Sequence, residues 1–238
     1  MCTLEKRGRV WLLTLGGDAD HRLSPGVLDS LNSALDRIRA ESSSGTAALV
    51  VAGTGKFFSY GFDLEWAKSG PFMPRMHLMS DKFRTLVSSL VSLPIPTIAA
   101  VTGHAAAAGF MLVLAHDYIV MRRDRGFLYM SELDLGLPFE DFMMALIRAK
   151  VPSPAALRDV VLRARKFTAS EAADAGIVHM IASDAGETVA EAVRLAEDLA
   201  GRNWDGNVYS SIRKAAFPEI AAALGLVNGS GTKVASKL

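Results

Sequence analysis

From Thr85 to His116 the chain carries no Asp, Glu, Lys or Arg. A charge-free run of that length is long enough for a helix that crosses a bilayer. Pro94, Pro96, Gly103 and Gly109 cut it into short pieces, and Ser88, Ser89, Ser92 and Thr102 place polar groups along it. The run is therefore expected to fold as several strands and helices buried inside a protein core, with no membrane span. The rest of the chain must supply the surroundings. Its 238 residues, half of them hydrophobic and 21% charged, suffice for one large buried core and argue against disorder. A net charge of +1 gives no bulk field for nucleic acid or an anionic membrane, so an anionic ligand would have to be held locally. Cys2 is the single cysteine and forms no intramolecular disulfide.

The pattern on either side of the run alternates strand and helix. Arg9–Leu15 reads as a strand ended by Gly16-Gly17, and Ser24-Pro25 as the cap and first residue of a helix with Leu28, Leu31, Leu35 and Ile38 on one face. Ala47–Ala52 is a continuous apolar strand, as expected in a sheet covered on both faces. A helix is predicted over Met76–Leu93, then strands over Thr97–Val101, Tyr118–Met121 and Phe127–Met130. Beyond Phe139 the signal is helical. Thr168-Ala-Ser-Glu171 matches a capping box, and helices are predicted over Glu187–Ala200 and Val208–Leu224. The expected organisation is an α/β core over 1–185, a helical part over 186–227 and a flexible tail over 228–238.

Most short motifs fail on inspection. Gly53-Thr-Gly-Lys56 lacks the spacing and the hydroxyl residue of a phosphate loop, and no dinucleotide or nucleophile-elbow pattern occurs. The five histidines show no metal-ligand spacing, so no metal is expected. Two loops remain. One is Lys56-Phe-Phe-Ser-Tyr-Gly-Phe-Asp63-Leu64, after a buried strand. The other is Thr102-Gly-His-Ala-Ala-Ala-Ala-Gly109, between a strand and an apolar helix. Small residues there bring backbone close to a ligand, and N–H groups opening a helix face negative charge. Close packing of helix on sheet explains the Ala/Gly run equally well.

Phe58-Ser-Tyr-Gly-Phe-Asp-Leu64, Ile95-Pro-Thr-Ile-Ala-Ala-Val-Thr-Gly103 with the turn after it, Asp117-Tyr-Ile-Val120, Ser131-Glu-Leu-Asp-Leu-Gly136 and Phe167-Thr-Ala-Ser-Glu-Ala-Ala-Asp-Ala-Gly176 together resemble the enoyl-CoA hydratase/isomerase (crotonase) family, in the family's order. The resemblance implies a crotonase (ClpP-like) α/β fold, a repeated ββα spiral with a helical C-terminal part. It implies a site in which the backbone N–H groups of Tyr60 and Ala108 hold a thioester oxygen. Ser59, Tyr60, Gly61, Phe62, Asp63, Leu64 and Gly109 would line the path of coenzyme A, with Lys56 at a phosphate. The acyl tail would run toward Phe72–Phe83, where Met73, Met76 and Met79 fit a core or a subunit contact as well.

Hydratases of the family use two glutamates. Here the first position falls on Met111 and the second on Glu132. A lone glutamate resembles the Δ3,Δ2-enoyl-CoA isomerases of the family, in which one carboxylate moves one proton from C2 to C4 of a 3-enoyl-CoA. Without the resemblance, Ser131-Glu-Leu-Asp134 reads as a helix cap or an exposed loop sooner than as a catalytic segment. A hydratase, another acyl-CoA-processing enzyme or a non-catalytic acyl-CoA-binding protein are the alternatives. No cofactor is expected, since CoA belongs to the substrate, and a homotrimer or hexamer is implied. Ser236-Lys237-Leu238 reads as a peroxisomal address, with the import receptor as partner.

Overall fold

The computed structural model describes residues 2–42 and 47–226. β1 (Thr3–Arg7) and β2 (Val10–Thr14) form a hairpin turned by Gly8 at φ +58°. From β2 onward the chain winds as a spiral in which a long strand, a short strand and a helix recur. The first turn adds β3 (Arg22–Leu23) and α1 (Pro25–Glu41). Ser24 Oγ caps α1 by accepting from Val27 N–H at 3.4 Å. The second has β4 (Ala48–Ala52), β5 (Phe57–Ser59), β6 (Gly61–Phe62), α2 (Leu64–Lys68) and α3 (Phe72–Val91). The third has β7 (Thr97–Val101), β8 (His104–Ala106) and α4 (Ala108–Leu114). The fourth has β9 (Tyr118–Arg122), β10 (Leu128–Tyr129), α5 (Glu132–Leu135), α6 (Asp141–Lys150), α7 (Pro154–Val161) and α8 (Ala169–Asp174). β11 (Met180–Ala182), α9 (Ala185–Gly201), α10 (Gly206–Ala216) and α11 (Pro218–Ala223) finish the described chain.

The long strands make one sheet in the order β1-β2-β4-β7-β9-β11, parallel except for the first pair. The short strands make two small parallel sheets, β10-β8-β5 and β3-β6. Side chains alternate across the pleat, so one strand serves two cores. Trp11, Leu13, Leu49, Val51, Ala99 and Val101 face the core shared with α1, α3 and α4. Val10, Leu12, Val50, Ile98, Ala100 and Val120 face Ala192, Ala196 and Ala200 of α9. Alanine at every fourth position lets α9 lie close to the sheet. The expected boundary at 185 thus falls at the start of a helix that closes the sheet's second face. The charge-free run is buried in pieces, from the second half of α3 through β7, β8 and α4. No described helix is long and apolar enough to cross a membrane.

Several boundaries differ from expectation for identifiable reasons. α3 begins at Phe72, ahead of the predicted Met76, because Pro74 sits in the first turn, where a missing N–H breaks no helical bond. The helix predicted over Val208–Leu224 is two helices. Pro218 removes an N–H and restricts Phe217, which ends one and begins the other. The capping box is as expected, with Thr168 and Glu171 bonding each other's backbone. The tail 228–238, with its C-terminal tripeptide, lies outside the described residues.

The C-terminal helices are clamped by one buried cation. Arg213 Nε and Nη2 donate to the two oxygens of Asp117, each at 2.6 Å, while Nη1 donates to Leu93 O at 2.6 Å and Nη2 to Ile95 O at 2.7 Å. The Arg213 guanidinium and Thr97 N–H hold the Asp117 carboxyl below its usual range against the opposing effect of burial. Arg213→Leu leaves Asp117 buried without its partner. Chemical denaturation should report a loss of about 3–5 kcal/mol.

Candidate active site

The second and third turns of the spiral end side by side, and their geometry is set by backbone. Asp20 O accepts from Tyr60 N–H at 3.0 Å, and His21 O accepts from Ser59 Oγ at 2.8 Å. These bonds fix the first loop against the Asp20-His21 segment. Gly61 follows at φ +93°. A side chain there would begin 2.9 Å from Ala106 O and 3.3 Å from Ala108 N, so a glycine is what allows the two loops to touch. Gly109 lies against the backbone of Ser59, with no room for a Cβ. Ala107, at φ +50° and ψ −124°, makes the corner into α4 in a region that L-residues rarely occupy. Ala107 N–H is bonded to Tyr129 O at 2.9 Å. The next N–H, that of Ala108, meets no acceptor among the described residues and opens the helix beside a cavity.

That cavity has a volume of about 470 Å³. Much of its lining is apolar, with Phe62, Met76, Met111, Leu137 and Met143 among the residues. Three carboxylates line it. Glu65 pairs with Arg22 at 3.0 Å and its side chain is 80% exposed, and Glu140 faces Arg84 at 3.8 Å. Glu132 differs from both. It opens the one-turn helix α5, which Gly136 ends in the left-handed region, and only 9% of its surface is exposed. Its Oε2 is screened from solvent and has no hydrogen-bond partner. Burial pushes its carboxyl up to about 7, opposed weakly by nearby backbone N–H groups. Ser131 makes no side-chain cap, so the capping reading of Ser131–Asp134 does not apply. A carboxylate without a counter-ion, in an apolar cavity and half ionised near neutral pH, is suited to take up a proton and give it back.

The structure sorts the expected site residues into two groups. Tyr60, Phe62, Leu64, Ala108 and Glu132 line the cavity. Ser59, Gly61, Asp63 and Gly109 build its frame. Ser59 Oγ is engaged with His21 O and Gly61 N–H, and Asp63 caps α2 by accepting from Trp66 N–H at 3.0 Å. One expectation is corrected. Tyr60 N–H is not available to a substrate oxygen, because Asp20 O already accepts it. That bond joins residues forty positions apart in different loops, and nothing in the local sequence announces it. Met111 is buried on the cavity wall, where it leaves Glu132 without a second carboxylate beside it. Tyr129, Ser80 and Met143 also line the cavity and were not singled out from the sequence. Ser80 lies within the Phe72–Phe83 segment toward which the resemblance ran the acyl tail, and Met73, Met76, His77 and Ser80 of α3 all line the cavity.

The residues from 6 to 205 match the enoyl-CoA hydratase/isomerase family. The chain belongs to that family. Among curated proteins, "Enoyl-CoA delta isomerase 2, peroxisomal" of Arabidopsis thaliana is 48% identical over 95% of this chain and 96% of its own length. "Enoyl-CoA delta isomerase 1, peroxisomal" of the same plant is 50% identical over 92% and 91%. Among solved structures, a probable enoyl-CoA hydratase of Mycobacterium tuberculosis superposes with a TM-score of 0.83 at 24% identity, covering 94% of this chain and 93% of that one. That likeness concerns the fold, and the crotonase spiral expected from the sequence is the one observed.

Proposed function

We propose that this chain is an enoyl-CoA isomerase of fatty-acid oxidation, which shifts the double bond of a 3-enoyl-CoA to the conjugated 2-position. The observation that carries the reading is Glu132. It is the one cavity carboxylate without a cationic partner, raised to about 7, and it shares the cavity with the free N–H of Ala108. The delta-isomerase names of relatives at 48% and 50% identity support the same activity.

The mechanism follows from the bond to be moved. The C2 hydrogens of a 3-enoyl thioester are acidified by the carbonyl and by the adjacent alkene. Glu132 removes one, and the charge of the resulting dienolate rests on the thioester oxygen. Ala108 N–H stabilises that oxygen at the start of α4. With Tyr60 N–H engaged, we assign the second donor to Phe62, the cavity-lining residue two positions on. A donor of this kind contributes roughly 3 kcal/mol to the barrier. Glu132 then returns the proton to C4. Hydration needs an acid and a base around one water, and Met111 supplies neither. No cofactor enters this scheme, since only a proton moves and CoA leaves with the product.

For the nucleotide end of CoA we propose the basic patch around His104. Burial lowers the imidazole first, and Lys56, Lys166 and Arg125 lower it further. The patch joins the cavity rim through Tyr129, with Lys166 Nζ 5.1 Å from its ring centroid. Peroxisomal residence is proposed from the relatives' names together with the Ser236-Lys237-Leu238 address and its receptor. A homotrimer or hexamer is proposed from the family resemblance, with exposed Trp204, Val208 and Ile212 around α10 as contact candidates.

The deciding experiment offers 3-hexenoyl-CoA and crotonyl-CoA to the same preparation. The expected outcome is formation of 2-hexenoyl-CoA with hydration of crotonyl-CoA at least ~100-fold slower, because a missing general acid or base costs about 10²–10⁴ in rate. Hydration as the faster reaction would assign a hydratase. Tight CoA-thioester binding without proton exchange at C2 would assign a binding protein.

A further inference from the structure

Among the polar groups of the cavity that the mechanism does not use, Ser80 is buried and has no hydrogen-bond partner among the described residues. Ser80 lies on α3, one turn beyond Met76 and one turn before Phe83, on the face that lines the cavity. It is 3% exposed, and its Oγ is screened from solvent without any hydrogen-bond partner. Serine and threonine in a helix ordinarily satisfy the hydroxyl on the carbonyl four residues back. The same helix shows this twice. Thr85 Oγ donates to Asp81 O at 3.0 Å, and Ser92 Oγ, at the helix end, donates to Ser88 O at 2.7 Å. Ser80 makes no such bond with Met76. It makes none with Glu132 either, so it does not orient the proton carrier directly.

A buried hydroxyl without a partner destabilises the protein relative to alanine unless something that enters the cavity bonds to it. The cavity that Ser80 lines has Met76, Leu137 and Met143 among its apolar residues and His77 and Glu140 among its polar ones, and none of them bonds the hydroxyl. Phe83, one turn further along α3, is buried, its ring packed edge-on against Phe62 at 5.5 Å and tilted against Phe142 at 6.4 Å. An unsubstituted hydrocarbon tail leaves the Ser80 hydroxyl unpaired. A tail carrying a hydroxyl satisfies both groups at once. We propose that Ser80 is a specificity-determining residue that bonds an oxygen function on the acyl chain, so that oxygenated acyl-CoA thioesters are favoured ligands of this cavity. The inference rests on the isomerase reading only in taking an acyl-CoA as the ligand.

Binding tests it independently of turnover. Isothermal titration is carried out with octanoyl-CoA and with octanoyl-CoA thioesters bearing one hydroxyl at successive carbons beyond C4. One regioisomer is expected to bind the wild type about tenfold more tightly than octanoyl-CoA. That preference should vanish in Ser80→Ala, which favours the helix, and persist in Ser80→Thr, which keeps the hydroxyl. Equal binding of every thioester by the wild type overturns the proposal, as does a preference that survives in Ser80→Ala. Turnover of 3-hexenoyl-CoA reads the other assignment separately. A hydroxyl preference without turnover refutes the isomerase and keeps the serine, whereas turnover without a preference does the reverse.

Discussion

Glu132→Gln is expected to lower the turnover of 3-hexenoyl-CoA by at least ~10³-fold while leaving the fold intact, because it removes the one group able to carry the proton from C2 to C4. The wild-type pH profile should report the same group. Glu132 acts as a base and must be ionised, so kcat/KM rises with pH through about 7 and levels off above it. The stability of the protein should move the other way. A carboxyl raised in the folded state from 4.5 to about 7 binds its proton more tightly there than in the unfolded chain. Folding stability contributed by the protonated form is therefore complete below pH 4.5 and lost as pH rises through about 7. Glutamine carries no charge to bury, so the variant should be the more stable protein at pH 8, by up to about 3 kcal/mol. At pH 4 the two should be close. Thermal unfolding at the two pH values, beside the activity assay, checks both signs. Near-wild-type turnover in the variant, or equal stability at pH 8, removes Glu132 from the role given to it.

Gly109→Ala should show the second largest loss, by a different route. No charge or hydrogen bond changes, but the added methyl falls on the backbone of Ser59, which cannot move aside like a flexible side chain. The loop carrying Phe62 and the start of α4 must part. The N–H of Ala108 then shifts relative to any oxygen held between them. Loss of one such donor costs about 10²–10³ in kcat, and overpacking a tight site costs about 1–3 kcal/mol of stability. The variant should retain circular dichroism typical of the wild type and bind CoA thioesters weakly. Unchanged kcat would mean that the contact between the loops does not set the position of the oxyanion.

The two predictions bear differently on the sequence. Glu132 was found by resemblance, since its local context of Ser131, Leu133 and Asp134 reads by itself as a cap or an exposed loop. Its properties as a base come from burial, in a cavity to which its near neighbour Leu137 and the more distant Met111 of α4 and Met143 of α6 contribute. Gly109 was visible as a small residue opening a helix. That it meets Ser59, fifty residues earlier, was not. Tyr60 shows the limit most clearly. The motif pointed to its N–H, and only the folded chain shows Asp20 O occupying that bond. Ser80 had no signal beyond its place in the Phe72–Phe83 segment toward which the resemblance ran the acyl tail, because an unmade hydrogen bond leaves no trace in a sequence.

The charge-free run from Thr85 to His116, the alternation of buried strands and capped helices, and the position of a single glutamate were determined by the sequence itself. Hydrophobic period, proline and glycine act on neighbouring residues and are legible there. The tertiary structure alone decided which N–H stays free and which carboxylate loses its water and counter-ions. It also decided that Ser80 would be left unpaired. Each of those depends on which groups from distant segments are brought within about 3 Å, and on the exclusion of solvent from the space between them. Neither quantity is a property of any one stretch of chain.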